Sequence, residues 1–141
     1  MTIMIKYLAD IKPIEPISQG DWIDLRSAVD LDLKKGDTYI IPLGVAMKLP
    51  LGYEAIIAPR SSTLKKWGII QTNSIGIIDE SYCGDRDEWC MPVLAMRDTH
   101  IHRNDRICQF RIIERQPQFS FTVMAHLADR NRGGFGSTGD R

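Results

Sequence analysis

Apolar residues along this chain recur in short runs broken by Pro and Gly rather than at helical spacing, a pattern that predicts strands. Thr2 to Leu8 interleaves Ile3, Met4 and Ile5 with Lys6 and Tyr7. Pro13 and Pro16 follow and cannot donate to a ladder, so an edge strand leading into a loop is expected. Gly20-Asp21-Trp22-Ile23-Asp24-Leu25 reads as a turn entering a strand, with Asp24 an outward carboxylate between apolar neighbours. Asp37 to Leu49 and Tyr53 to Ala58, punctuated by Pro50-Leu51-Gly52, predict two strands. Strands are expected again at Trp89 to Arg97, at Arg106 to Glu114, and at Phe119 to Met124, where Phe119, Phe121 and Val123 alternate with polar or small neighbours.

Only Pro59 to Gly68 reads as a helix, about two turns long, with Ser61 or Ser62 placed as N-cap and Gly68 as terminator. An Arg beside a Ser-rich helix start is also the chemistry of an anion site, because free N–H groups and the positive dipole end coincide there. The same letters suit an ordinary capped helix. With no internal repeat and no helix of core-building length, the pattern predicts an all-β sandwich or barrel.

Bulk properties narrow the function. A chain of 141 residues with 43% hydrophobic content supports one domain. Lys+Arg and Asp+Glu are equal at 18 each, which argues against duplex nucleic acid or a membrane surface as partner and leaves a small charged ligand open. Cys83, Cys90 and Cys108 form no C-x-x-C pair, so neither a disulfide framework nor a structural zinc is expected. No signal-like start or spanning run is visible, and a cytoplasmic protein is expected.

Candidate chemistry gathers at Asn73-Ser-Ile-Gly-Ile-Ile-Asp-Glu-Ser-Tyr-Cys-Gly-Asp85. Asn73 and Gly76 are expected to bracket a tight hairpin, Gly76 tolerating positive φ, before Ile77 and Ile78 lead into Asp79 and Tyr82. Backbone edge groups, a flat apolar surface and one carboxylate suit a nucleoside beside a water. A solvated Asp and half-buried Tyr would leave the same trace. Residues 129–141 carry four Gly and too little apolar surface for a core, so a domain over 1–128 and a flexible C-terminal arm over 129–141 are expected. Such an arm could wrap phosphates, with Arg132 supplying charge, Ser137 and Thr138 hydroxyls, and Phe135 a stacking face. It lacks the Gly-Lys-Ser/Thr of a P-loop.

In order along the chain, these pieces resemble the five motifs of the trimeric dUTPases. Asp24-Leu25 is similar to the tail of the first motif, Pro59-Arg60-Ser61-Ser62 to the second, Asn73 through Gly84 to the third, Asp105 through Gln109 to the fourth, and Arg132 through Gly139 to the fifth. The resemblance implies a distorted jelly-roll, barrel-like β fold with one short helix. It also implies hydrolysis of dUTP to dUMP and pyrophosphate by water attack on the α-phosphorus. Asp79 would orient or deprotonate that water and contact the 3′-hydroxyl, and Tyr82 would pack on the deoxyribose. Asn73 and the backbone around Gly76 and Ile78 would read uracil. Arg60, Ser61, Ser62 and Gln109 would meet the phosphates. Arg132, Phe135, Gly136, Ser137 and Thr138 would close over the nucleotide. Magnesium would be held mainly by the triphosphate, touching Asp24 only through water. A homotrimer with active sites shared between subunits is implied, as is a protein partner where a member is phage-encoded.

The chain departs from the family pattern where Trp22-Ile23 replaces Ala-Gly, Ser62 replaces Gly and Cys83 replaces a basic residue. Two alternatives use the same residues differently. A dCTP deaminase of the same superfamily would need a water-activating Glu, for which Glu80 and Glu114 are the candidates. A regulator would keep the fold and use the nucleotide as a switch.

Overall fold

The computed structural model describes residues 1–16, 18–128 and 132–134. In chain order the strands are β1 (Met4–Tyr7), β2 (Ile23–Arg26), β3 (Leu31–Leu33), β4 (Thr38–Pro42), β5 (Val45–Lys48) and β6 (Tyr53–Pro59). A single-turn helix α1 (Thr63–Trp67) follows, then β7 (Ile69–Gln71), β8 (Gly76–Ile78), β9 (Cys90–Ala95), β10 (Thr99–Ile101) and β11 (Arg106–Glu114). All pairings are antiparallel, in a four-stranded sheet β2-β11-β6-β8, a three-stranded sheet β4-β9-β7, and the pairs β1-β5 and β3-β10. The all-β expectation with one short helix holds, but among the described residues the strands form separate packed sheets and close no barrel.

The core lies between these sheets. Alternation along β9 buries Met91, Val93 and Ala95 and leaves Cys90, Pro92 and Leu94 half-buried on the other face. Leu25, Ile57, Ile107 and Phe110 meet Ile41, Leu43, Met91 and Val93 in one cluster, each at most 2% exposed. Each such aliphatic side chain is worth roughly 1.5–3 kcal/mol when fully buried. Trp89 is fully buried and presents its ring edge to Phe110, centroids 5.1 Å apart.

Several expectations are corrected. Residues 37–58 hold three strands rather than two, because the chain turns at Pro42-Leu43-Gly44. Gly44 has φ +72, and a Cβ there would stand 3.1–3.3 Å from Ile11, Ala28 and Ala9. The short strands β3, β7 and β10 carry too few residues for alternation to reveal them. Phe119–Met124 forms no strand, and Phe121 and Val123 stay 90% and 97% exposed. Alternation makes a strand only where an edge and a buried face are on offer, and neither is supplied to this segment among the described residues.

The helix is shorter than expected and capped differently. Ser62 occupies the N-cap with φ −93 and makes no side-chain cap bond. Thr63 does that work: its Oγ1 accepts the Arg60 N–H at 2.8 Å and donates to the Ile107 carbonyl at 2.9 Å. Gly68 closes the helix as foreseen, at φ +60, its N–H donating to the Leu64 carbonyl at 2.7 Å. Arg97 adds donors to the carbonyls of Lys65 and Lys66.

The expected hairpin at Asn73–Gly76 is a crossing between sheets, since β7 pairs with β9 while β8 pairs with β6. The positive φ falls on Ser74 (+62), not on Gly76. Gly76 answers to crowding instead, because a Cβ there would sit 3.3 Å from that of Ile57.

Candidate active site

Asp79 leaves the end of β8 exposed to solvent and borders a cavity of about 410 Å³ lined by Lys48, Leu49, Leu51, Glu80, Ser81, Cys83 and Arg115. Its Oδ1 accepts the backbone N–H of Ser81 at 2.8 Å and the Ser81 hydroxyl at 2.6 Å. This Asx turn fixes the side chain, while Oδ2 takes no hydrogen bond among the described residues. Those two Ser81 bonds, with a smaller contribution from the Arg115 charge, hold the Asp79 carboxyl below its ordinary pKa, so it stands as an ionised acceptor at neutral pH.

Tyr82 continues the same turn, its N–H donating to the Asp79 carbonyl at 3.0 Å. Its phenol donates to the Glu88 carbonyl at 2.9 Å, and Glu88 is tied in turn to the Gly44 N–H. The ring stays 40% exposed, a flat face with its polar end anchored. Partial burial raises the phenol pKa, with the charges of Asp87, Cys90 and Glu88 adding to the effect.

A second cluster forms where β2, β11 and β6 lie side by side. Gln109 of β11 stands opposite Asp24 on one side and Ala58 on the other. Asp24 is not a solvated outward carboxylate: it pairs with Arg60 Nε at 3.0 Å and Arg106 Nη1 at 3.3 Å, its side chain only 18% exposed. Arg60 also donates through Nη1 to the Arg106 carbonyl, leaving Nη2 unbonded among the described residues. Gln109 Nε2 donates to the Pro59 carbonyl at 3.0 Å. Ser61 is exposed and Ser62 half-buried at the helix start, and neither hydroxyl is bonded among the described residues. The buried Cys108 thiol beside this cluster is pushed up in pKa by desolvation first and by the Asp24 charge second, which keeps it an inert thiol.

Strand register sets the distance between the two clusters. Gln109 faces Ala58, whereas Asp79 follows Ile78, which faces Ala55 on the far side of β6. Asp79 therefore lies four residues along β6 from the Gln109 position and two strand spacings across, about 13 Å one way and about 10 Å the other. Within one protomer the expected phosphate-binding residues and the expected base therefore do not converge.

The remaining candidates fall between or beyond these clusters. Asn73 is exposed in the crossing turn, and Ile78 is 9% exposed with its side chain in the core, so only its backbone is available to a ligand. Arg132 is exposed, while Phe135, Gly136, Ser137 and Thr138 lie outside the described residues.

The profile of the dUTPase family matches residues 10–139. The chain belongs to the dUTPase family. It is 54% identical over 142 residues, 100% of both chains, to the SPbeta prophage-derived deoxyuridine 5′-triphosphate nucleotidohydrolase YosS of Bacillus subtilis (strain 168). Against the deoxyuridine 5′-triphosphate nucleotidohydrolase of Finegoldia magna it is 39% identical over 123 residues, 83% of each chain. The fold is that of the Staphylococcus bacteriophage 80alpha dUTPase solved with dUPNHPP, at TM-score 0.80 and 19% identity over 98% of each chain.

Against the dUTPase motifs, the structure adds residues that their spacing does not announce. Lys48 and Arg115 come to the Asp79 cavity from β5 and from just past β11. Glu80 accepts the Gly52 N–H at 3.1 Å through one oxygen and Arg115 Nη1 at 2.8 Å through the other. A carboxylate so engaged is poorly placed to activate water, which removes one of the two deaminase candidates. The Glu–Arg pairing is 35 residues apart in sequence, beyond any local signal.

Proposed function

We propose that this chain hydrolyses dUTP to dUMP and pyrophosphate, with Asp79 directing water onto the α-phosphorus. The observation that carries this is the Asp79 carboxylate itself, ionised, fixed by Ser81 through one oxygen and bordering a cavity through which a nucleotide can reach it. Full-length similarity to a named deoxyuridine 5′-triphosphate nucleotidohydrolase supports the substrate.

The Tyr82 ring would pack against the deoxyribose, where a 2′-hydroxyl would clash with it. Asn73 and the backbone near Gly76 would read the uracil edge, since cytosine's amino group would set a donor against a donor. Arg60, oriented by Asp24, would offer its remaining guanidinium N–H groups to phosphate, beside the Ser61 and Ser62 hydroxyls and the Gln109 amide. The separation of that cluster from Asp79 within one protomer supports a site completed between subunits of a homotrimer. Outward apolar residues on the β4-β9-β7 sheet, with Ile40 66% exposed opposite Pro92, offer a surface for such assembly. Residues 129–141 would act as an arm, with Arg132, Ser137 and Thr138 on the outer phosphates and Phe135 over the base.

Magnesium fits this arrangement as a passenger of the nucleotide. Among the described residues no group of three or more His, Cys, Asp or Glu could hold a metal, and both Asp24 oxygens already face guanidinium groups. Asp24 would therefore reach it through water alone. When bound, the ion supplies charge neutralisation on the triphosphate. The dUTPase from phage phi11 of S. aureus is described as coordinating a structural Mg(II) ion.

Among the described residues no helix is long and apolar enough to cross a membrane. The deciding experiment is pyrophosphate release from dUTP, dCTP, dTTP and UTP with magnesium. Turnover of dUTP alone supports the proposal, and ammonia release from dCTP overturns it.

A further inference from the structure

Among the described residues regular structure ends at Glu114, and the next residue enters a set of contacts that strand pairing does not require. The Arg115 N–H donates to the Gly52 carbonyl at 2.9 Å, and its guanidinium donates to Glu80 Oε2 at 2.8 Å. The other Glu80 oxygen accepts the Gly52 N–H at 3.1 Å. Gly52, with φ +85, thus spends both backbone groups, and Glu80 both oxygens, in a closed ring. That ring joins three pieces distant in sequence: the turn between β5 and β6, the loop after β8, and the first residue past β11.

The Glu80 side chain is 16% exposed and that of Arg115 57%. With its Arg115 end open to solvent the pair adds modestly to folding, so its effect is better sought in what it holds in place. What it holds is the peptide unit next to Asp79. Ser81 sets the Asp79 side chain from one side, and the Glu80 ring sets its backbone from the other.

We propose that Arg115 is a positioning residue for the reaction, acting through Glu80 to fix the backbone that presents Asp79 to its cavity. This rests on the assignment of dUTP hydrolysis to that cavity. Lys48 from β5, Arg115 from beyond β11, and Glu80 and the Cys83 thiol on the loop itself are the charged and titratable groups that line it with Asp79. The Arg115 charge also favours the ionised form of Asp79. Removing it therefore affects both the placing of the carboxylate and the pH at which it becomes protonated.

The test is steady-state pyrophosphate release from dUTP across the acid range for Arg115→Gln, Arg115→Lys, Glu80→Gln and the Arg115→Gln, Glu80→Gln double variant, with folding followed by far-UV circular dichroism. Arg115→Gln is expected to lower kcat on the order of tenfold with KM within about twofold, the size of a small misplacement of a reacting group. The acid limb of its kcat profile should move to higher pH. Arg115→Lys, which still carries a cation to Glu80, should recover most of the turnover. The double variant should be no worse than the more damaged single one, since both break one ring.

Wild-type kcat and an unmoved acid limb in Arg115→Gln overturn the proposal, as do losses that multiply in the double variant. Should Arg115→Gln fail to fold, Glu80→Gln and Arg115→Lys carry the same comparison, and wild-type kcat in Glu80→Gln overturns it. If Asp79→Asn also keeps wild-type turnover, the parent assignment fails. If Asp79→Asn is inactive while the ring variants are normal, only the role of Arg115 is lost.

Discussion

Thr63→Val removes one hydroxyl while keeping shape and β-branching, and the structure says what that hydroxyl holds. Thr63 is fully buried, its Oγ1 accepting the Arg60 N–H at 2.8 Å and donating to the Ile107 carbonyl at 2.9 Å. Valine would strand one backbone donor and one backbone acceptor. Each lost bond costs about 0.5–1.5 kcal/mol net, and each buried group left unpaired raises that, so roughly 2–4 kcal/mol is expected in all. For a chain of this size that lowers Tm by about 6–15 °C, compared at equal protomer concentration because assembly shifts apparent stability. Thr63→Ser keeps the hydroxyl and loses one methyl, about 1 kcal/mol, and separates the two contributions. The same bond anchors the backbone that carries Arg60, so KM for dUTP should rise several-fold in Thr63→Val and little in Thr63→Ser. Urea unfolding and initial-rate kinetics on the three proteins make the measurement. A change below about 0.5 kcal/mol in Thr63→Val would refute the reasoning, because it would mean the two backbone groups find other partners.

Asp79→Asn should abolish most turnover while dUTP binding, read by calorimetry, stays near that of the parent; retained turnover would take Asp79 out of the chemistry. The Asp79 pKa is depressed by Ser81, so the carboxylate remains ionised, and the activity present, down to pH values below the ordinary carboxylate pKa of about 3.9, and both are lost as pH falls through the lowered value. Ser81→Ala should move that acid limb to higher pH, and an unmoved limb would assign it to another group. Ile40→Asp places a charge on the most exposed aliphatic of the β4-β9-β7 sheet and should shift sedimentation of the proposed trimer to monomer with loss of activity, whereas unchanged sedimentation would take this sheet out of the assembly. Truncation before Arg132 should leave a folded oligomer with little turnover; an unfolded product would make the segment structural.

Local chemistry was legible in the sequence wherever a residue answers to its immediate neighbours. Strand β11 begins at Arg106 and ends at Glu114 as the run of apolar residues announces, and Gly68 ends α1 because its φ is one that only glycine adopts without strain. Family membership was legible for a related reason: motif residues are spaced by short turns whose chemistry is written in order. Legibility failed where a partner lies far along the chain. Phe119–Met124 has the letters of a strand and no edge to pair with among the described residues. Gly76 looked like a positive-φ turn residue and is instead a close approach to Ile57 across a sheet.

The amino-acid order alone therefore determined that the longer apolar runs such as β6, β9 and β11 are extended, where the helix stops and which carboxylate is a candidate base. Only the tertiary structure decided that β7 and β8 part into different sheets, that Asp24 is committed to Arg60 and Arg106, and that Arg115 closes a ring with Glu80 and Gly52 beside Asp79. The physical reason is range. Backbone preference acts over a few residues, whereas a carboxylate's role depends on which charges and donors the packed core brings within about 4 Å of it, and those arrive from anywhere in the chain.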